Sequence, residues 1–231
     1  MRYALSIYQP RTDAGRRFGG MVEDSTVADP KKYELVQDDT VKTRDGRTLF
    51  RIRALVAIGL SVAIGDLGGY VEGEKNLSQV YGNAWVYGDA WVYGDAQVYG
   101  NARVYGNAQV YGDAWVYGNA WVYGDAQVYG NARVYGDAWV YGNAWVYGDG
   151  ACGWLSKVGS EQGTLTWCVA KDRTIWVNRG CFSGSLEAFT EAVETRHGDS
   201  RIAQEYRLLV QFIELRAAAA IEAMPTEELS A

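Results

Sequence analysis

From Val80 to Ala151 the chain reads as twelve consecutive hexapeptides without an insertion, VYGNAW VYGDAW VYGDAQ VYGNAR VYGNAQ VYGDAW and onward to VYGDGA. A fixed short period means one unit stacked on copies of itself, and a period of six residues points to a parallel β-helix. Side chains alternate along an extended stretch. In Ala-Trp-Val-Tyr, therefore, Ala and Val face one way and Trp and Tyr the other. Val at the first position (Val80, Val86, through Val146) and Ala at the fifth (Ala84 through Ala144) fill a narrow core. Gly followed by Asn or Asp, as in Gly82-Asn83 and Gly88-Asp89, supplies a corner, because these residues accept positive φ at low cost. Each hexapeptide is then one short strand and one corner, and the expected class is mostly β.

An aliphatic residue followed four positions on by a small one resembles the hexapeptide-repeat family. The resemblance implies a left-handed parallel β-helix with three hexapeptides per turn, against the usual crossover hand. Twelve hexapeptides then make four turns, and a strand spacing of about 4.8 Å gives a prism roughly 19 Å tall. Corners stack as Asn83-Asn101-Asn119-Asp137, Asp89-Asn107-Asp125-Asn143 and Asp95-Asp113-Asn131-Asp149. Only Asp95 and Asp113 become neighbouring carboxylates. One pair falls far short of the six to eight oxygens calcium takes, so these are read as turn residues and no metal is expected.

A second period overlies the first. The sixth position runs Trp85, Trp91, Gln97, Arg103, Gln109, Trp115, Trp121, Gln127, Arg133, Trp139, Trp145, so its pattern recurs after thirty residues, or five hexapeptides. Five is not a multiple of three. Trp115 is therefore expected on a different face from Trp85, and Arg133 on a different face from Arg103. Faces that tolerate such copying suit a generic surface better than one tuned pocket.

That surface is aromatic: the chain has 17 Tyr and 9 Trp against 5 Phe. Tyr81 through Tyr147 form outward ladders, four per face. Tyr stacking stabilises neighbouring coils by roughly 0.2–1 kcal/mol per pair, which accounts for the Tyr. It accounts less well for Trp, since Gln and Arg serve at the same position. Flat aromatic patches of a few hundred Å² usually meet something. The candidate binding residues are Trp85, Trp91, Trp115, Trp121, Trp139, Trp145, Tyr87, Tyr117 and Tyr141, with Arg103 and Arg133 beside them. Candidate occupants are another copy, a foreign protein, or a planar ligand such as a nucleobase or sugar ring stacked on Trp or Tyr, a nucleotide placing its phosphates on the two Arg.

The flanks divide into three parts. Residues 1–30 lack periodicity and read as a flexible arm. Residues 31–79 read as an N-terminal β cap with an Asp45-Gly46 hairpin turn, followed by an imperfect first coil over 54–79. Residues 152–231 read as a C-terminal cap. It holds two strands, Thr164–Val169 and Thr174–Val177, around a Lys171-Asp172 turn. A helix capped by Ser183 or Ser185 follows, running to about Thr195 with Gly198 at its end. A second helix, capped by Ser200, runs to about Ala220 and stops near Pro225. The helices are expected to close the solenoid or to drive self-association.

KYELV, TLFRIRAL, GDLGGYVEGEKNLS and GCFSGSLEAF resemble segments of bacteriophage and prophage hexapeptide-repeat proteins, over roughly residues 31–215. The resemblance implies a phage origin, and by analogy an accessory protein that inhibits a host defence protein.

Other chemistries find little support. The hexapeptide family includes acyltransferases that use a His base near a loop leaving the coil. Here the one His, His197, lies outside an uninterrupted repeat, and it reads as an ordinary helix-end residue. Three His ligands for a carbonic-anhydrase type of metal site are not available. No GxSxG, P-loop or zinc spacing occurs, and Gly65-Asp66-Leu67-Gly68-Gly69 lacks the Lys and Ser/Thr of a phosphate loop. The net charge of −6 divides as +3 over residues 1–53, −2 over 54–79, −4 over the repeats and −3 over 152–231. No part is basic enough for duplex DNA, and no apolar run is long enough for a membrane span. Cys152, Cys168 and Cys181 show no metal spacing and read as small buried thiols of a protein in a reducing, bacterial cytoplasm. The expectation is a non-enzymatic binding or assembly protein without cofactor, partnered by itself through the C-terminal helices or by a host protein. Nucleotide sequestration and acyl transfer are the alternatives.

Overall fold

The computed structural model describes residues 31–80, 82–148, 152–170 and 172–224. The expected arm over 1–30, Tyr81 at the foot of one ladder, Asp149 at the top of one corner stack, Lys171 and Pro225 lie outside the described residues. The chain opens with β1 (Tyr33–Lys42), β2 (Thr48–Ala54) and β3 (Leu67–Val71). Short strands follow at each hexapeptide: β4 (Trp85–Val86), β5 (Trp91–Val92), β6 (Gln97–Val98), β7 (Arg103–Val104), β8 (Gln109–Val110), β9 (Trp115–Val116), β10 (Trp121–Val122), β11 (Gln127–Tyr129), β12 (Arg133–Val134), β13 (Trp139–Val140) and β14 (Trp145–Tyr147). Then come β15 (Cys152–Val158), β16 (Gly163–Val169), β17 (Ile175–Arg179), β18 (Phe182–Ser185), α1 (Leu186–His197) and α2 (Arg201–Glu222).

The protein is mostly β, a solenoid of about four turns whose strands are mostly parallel. Each strand pairs with the one eighteen residues on, as in Trp85↔Arg103, Arg103↔Trp121 and Trp121↔Trp139. Three parallel ladders result, β4-β7-β10-β13, β3-β5-β8-β11-β14 and β6-β9-β12. From Ala84 on, the first and fifth positions face inward as the alternation requires; Val80, expected in the core, is instead 59% exposed, because the register shifts between Leu77 and Trp85. Val86 through Val146 and Ala84 through Ala144 are buried on every coil. The backbone is satisfied coil to coil: Trp85 N–H donates to Ala102 O at 3.1 Å and Tyr87 N–H to Val104 O at 2.8 Å. Corner glycines from Gly94 to Gly124 hold φ between 70 and 73°, the left-handed region where a side chain is strained. Asn and Asp after them form ladders of their own. Asn101 Nδ2 donates to Asn119 Oδ1 at 3.2 Å, and Asn119 Nδ2 donates to Asp137 Oδ1 at 3.1 Å.

The N-terminal cap continues one ladder of the coil. β1 and β2 pair antiparallel about the Asp45-Gly46 turn, β2 pairs antiparallel with β3, and β3 runs parallel to β5. Val71 pairs with Val92 and Leu77 with Val98, so this first coil is three residues longer than the regular ones. The offset is the same at Val71 and at Leu77, so the three extra residues lie between Leu77 and Trp85, after a 3-10 turn at Glu74–Asn76. Its buried Asn76 donates to Gly94 O at 3.0 Å and Ala96 O at 2.9 Å, which satisfies a polar group at the core's edge. Arg51 fixes the cap laterally: its guanidinium lies 4.2 Å over the Tyr70 ring and donates to Asp39 at 2.7 Å and to Gly68 O at 2.9 Å.

The C-terminal end differs from expectation in two respects. The expected pair of strands is the centre of a four-stranded antiparallel sheet, β15-β16-β17-β18. Its outer strands escape a pattern search because β15 breaks register between Leu155 and Val158, where Lys157 takes φ 61°, and because β18 is the short run Phe-Ser-Gly-Ser. Second, Cys152 and Cys168, opposite each other across β15 and β16, form a disulfide with S–S 2.08 Å, and Cys181 is exposed. This overturns the expectation of three buried thiols. It also removes the cysteine argument for a reducing cytoplasm, since disulfides persist in oxidising surroundings. β16 packs against β13 and β14, and Trp139 N–H donates to Thr166 Oγ1 at 2.9 Å. Ser185 and Ser200 cap α1 and α2, accepting from Ala188 and Ala203. No helix among the described residues is long and apolar enough to cross a membrane.

Candidate functional site

The sixth and second positions of each hexapeptide point outward, so each ladder carries a column of sixth-position residues and a parallel column of Tyr. One ladder presents Trp85, Arg103, Trp121 and Trp139; the next Tyr70, Trp91, Gln109, Gln127 and Trp145; the third Gln97, Trp115 and Arg133. The thirty-residue copies do change face: Trp85 lies on the first ladder and Trp115 on the third, as do Arg103 and Arg133.

The Tyr columns are stacked except at two ends, where Tyr87 meets Tyr105 edge-on at 6.5 Å and Tyr147 tilts 46° from Tyr129. Ring centroids lie 5.1 Å apart for Tyr93 and Tyr111, 4.9 Å for Tyr99 and Tyr117 and 4.7 Å for Tyr105 and Tyr123, all within 4° of parallel. Burial against one another, reinforced by the neighbouring hydroxyl, pushes the phenols of Tyr93 and Tyr105 up to about 12. Tyr93 and Tyr105 are thus neutral rungs of their columns at ordinary pH.

Trp115 and Trp121 lie against these columns, Trp115 edge-on to Tyr99 at 6.2 Å. Trp121 stacks on Trp139 at 5.2 Å and 8°, and Tyr105 meets Trp121 edge-on at 6.0 Å. Arg103 lies 5.1 Å over Trp121, and Arg133 lies 5.2 Å over Trp115. These are cation–π distances. A planar ligand at either place has to displace a guanidinium from the ring it would stack on. Trp115, Trp139 and Trp145 remain 36%, 40% and 44% exposed. Trp91, Trp121, Tyr87 and Tyr117 are half-buried.

Two candidates are withdrawn from the surface. Trp85 is fully buried, with the Tyr33 ring edge-on at 6.2 Å. Tyr33 is itself anchored by its hydroxyl donating to Leu77 O at 2.7 Å. Tyr141 is buried because its hydroxyl reaches the C-terminal sheet, bonding Gly180 O at 3.0 Å and Phe182 O at 2.7 Å. Both side chains point outward from the coil, but a cap lies over each. His197 ends α1 with its ring 6.0 Å from Tyr206, a position set by helix packing.

The structure adds one feature the repeat alone does not predict. An open hollow of about 230 Å³ forms where the Asp45–Arg47 turn leans over Tyr93 and Tyr111, with Asp95 and Asp113 at its rim. The Asp95 carboxylate is bonded to Lys75 at 2.6 Å, which holds it below the usual carboxylate range. Among the described residues no cluster of three or more His, Cys, Asp or Glu is placed to hold a metal.

Residues 78–94, 96–112, 108–124 and 126–142 match the family model described as the YdcK beta solenoid repeat. The first and third matches start thirty residues apart, as do the second and fourth, in step with the duplication seen at the sixth position. The repeat region is similar to that solenoid repeat. No curated protein matches the chain.

Proposed function

We propose that the chain is a non-enzymatic recognition scaffold whose exposed Trp, set on stacked Tyr rails, receive a protein partner. The observation that carries this reading is Trp115, Trp139 and Trp145 standing over a third exposed, Trp115 edge-on to Tyr99 at 6.2 Å and Trp139 stacked on Trp121 at 5.2 Å. Trp anchors dominate protein interfaces, and anchors that are rigid before binding lose little entropy on docking. On the same reading the coil is left-handed with hexapeptide sides. Its phage-like flanks point to a partner in the bacterial host, where occupying a defence protein would inhibit it.

The test is photo-crosslinking in host lysate with the full chain and with a W115A/W139A/W145A variant of unchanged far-UV circular dichroism. A crosslinked protein lost from the variant is the expected result. Retention of every wild-type crosslink would sink the proposal.

A further inference from the structure

The helix α2 carries two apolar faces. Ala203, Tyr206, Ile213 and Ala217 are buried against the rest of the chain. On the opposite side Leu208, Phe212 and Leu215 stand 67%, 45% and 74% exposed, spaced at four and three residues as one helical stripe. The stripe is bounded by charges of opposite sign, Arg201 at the first residue of the helix and Glu222 at the last, both exposed. Arg201 and Glu222 are equidistant from a midpoint between Gln211 and Phe212, and Leu208 and Leu215 share that midpoint. Read in reverse, the two Leu exchange places and so do the two charges. These charges do not serve their own helix, because a cation at the N-terminus and an anion at the C-terminus both oppose the macrodipole.

We infer that α2 is the interface of a two-fold dimer of this chain, with two copies of the helix packed antiparallel. In that register Leu208 meets the partner's Leu215, Phe212 falls opposite the partner's Gln211 and one residue along from the partner's Phe212, and Arg201 meets the partner's Glu222 at both ends. Each misplaced charge then faces both a counter-ion and the opposite helix terminus. A parallel arrangement would set Arg201 on its own copy and Glu222 on its own copy. The antiparallel pairing is isologous, as a two-fold axis requires. An interface one helix wide and about 33 Å long is at the small end of stable contacts, so dissociation is expected on the order of micromolar. This dimer is independent of the Trp faces, and neither proposal falls with the other.

The test is sedimentation equilibrium of the full chain over a concentration series. A monomer–dimer equilibrium is expected, weakened at least tenfold by L208D/L215D. R201E alone weakens it, and R201E/E222R restores it; this pair of variants decides the matter if the Asp substitutions perturb folding. The register is read in a C181S background. L208C mixed with L215C forms an oxidised heterodimer, and either alone stays uncrosslinked. A chain monomeric at every concentration, a dimer indifferent to the Leu substitutions, or L208C crosslinking to itself would each overturn the inference.

Discussion

The corner glycines allow the contact between successive coils to be tested at one atom. Gly88 and Gly118 occupy equivalent corners with φ of 59° and 72°, so an Ala at either carries the left-handed strain of about 1–2 kcal/mol. Their surroundings differ. A Cβ at Gly88 would find its nearest neighbour, Gly106 O, at 3.9 Å, an ordinary contact. A Cβ at Gly118 would lie 2.8 Å from the backbone N of Gly136. Backbone atoms of the next coil cannot swing aside as a side chain can, so overpacking of about 1–3 kcal/mol adds to the strain. G88A is expected to cost about 1–2 kcal/mol and G118A about 2–5 kcal/mol. Urea unfolding followed by Trp fluorescence reads the difference. With a slope of about 1–3 kcal/mol per M, the G88A midpoint falls by roughly 0.3–2 M and the G118A midpoint falls further, both with unchanged slope. Equal midpoints, or a lower one for G88A, would refute the claim that coil-to-coil backbone approach sets the cost.

Three further outcomes are expected. Trp85→Ala costs about 3–5 kcal/mol as a large core truncation, whereas Trp145→Ala, 44% exposed, costs about 1 kcal/mol or less. Trp85→Phe falls between them because the Trp85 Nε1–H has no hydrogen-bond partner to forfeit; chemical denaturation of the three variants checks the order. Reducing the Cys152–Cys168 bond, whose cysteines are sixteen residues apart, lowers stability by about 3 kcal/mol, read as the difference between melts with and without dithiothreitol and absent in C152S/C168S. The phenols of Tyr93, Tyr105 and Tyr141 are raised to about 12 in the folded state against about 10 unfolded. Their contribution is complete below pH ~10 and is lost as pH rises from ~10 through ~12, so absorbance at 295 nm shows late ionisation coincident with unfolding. Early ionisation of all tyrosines without unfolding would contradict the stacked rails.

The coil was legible in the sequence because every hexapeptide repeats the same decision. Val86 and Ala84 face inward for the same reason as Val146 and Ala144, and the Asn101–Asn119–Asp137 ladder follows from the eighteen-residue turn. Exposure was not legible, because it is decided by segments remote from the repeat. Tyr33 covers Trp85 from the N-terminal cap, and Gly180 and Phe182 receive the Tyr141 hydroxyl from the C-terminal sheet. The disulfide was missed with its strand. Once β15 is paired with β16, Cys152 and Cys168 fall opposite each other, but Lys157 at positive φ interrupts the alternation that would reveal β15. The hollow beneath Arg47 likewise needs the cap hairpin placed over Tyr93 and Tyr111.

The two periods of the chain set a rule for how its length can change. Pairing recurs every eighteen residues, while the sequence duplicates every thirty. Removing or adding eighteen residues would slide the C-terminal sheet along the coil axis and leave its heading unchanged. Removing or adding thirty would also swing that sheet, with α1 and α2, through a third of a turn relative to the N-terminal hairpin. Duplication therefore acts on this fold as an indexing gear. Each added unit re-aims the C-terminal helices at one of three headings while the buried Val and Ala of the coils keep their places in the core.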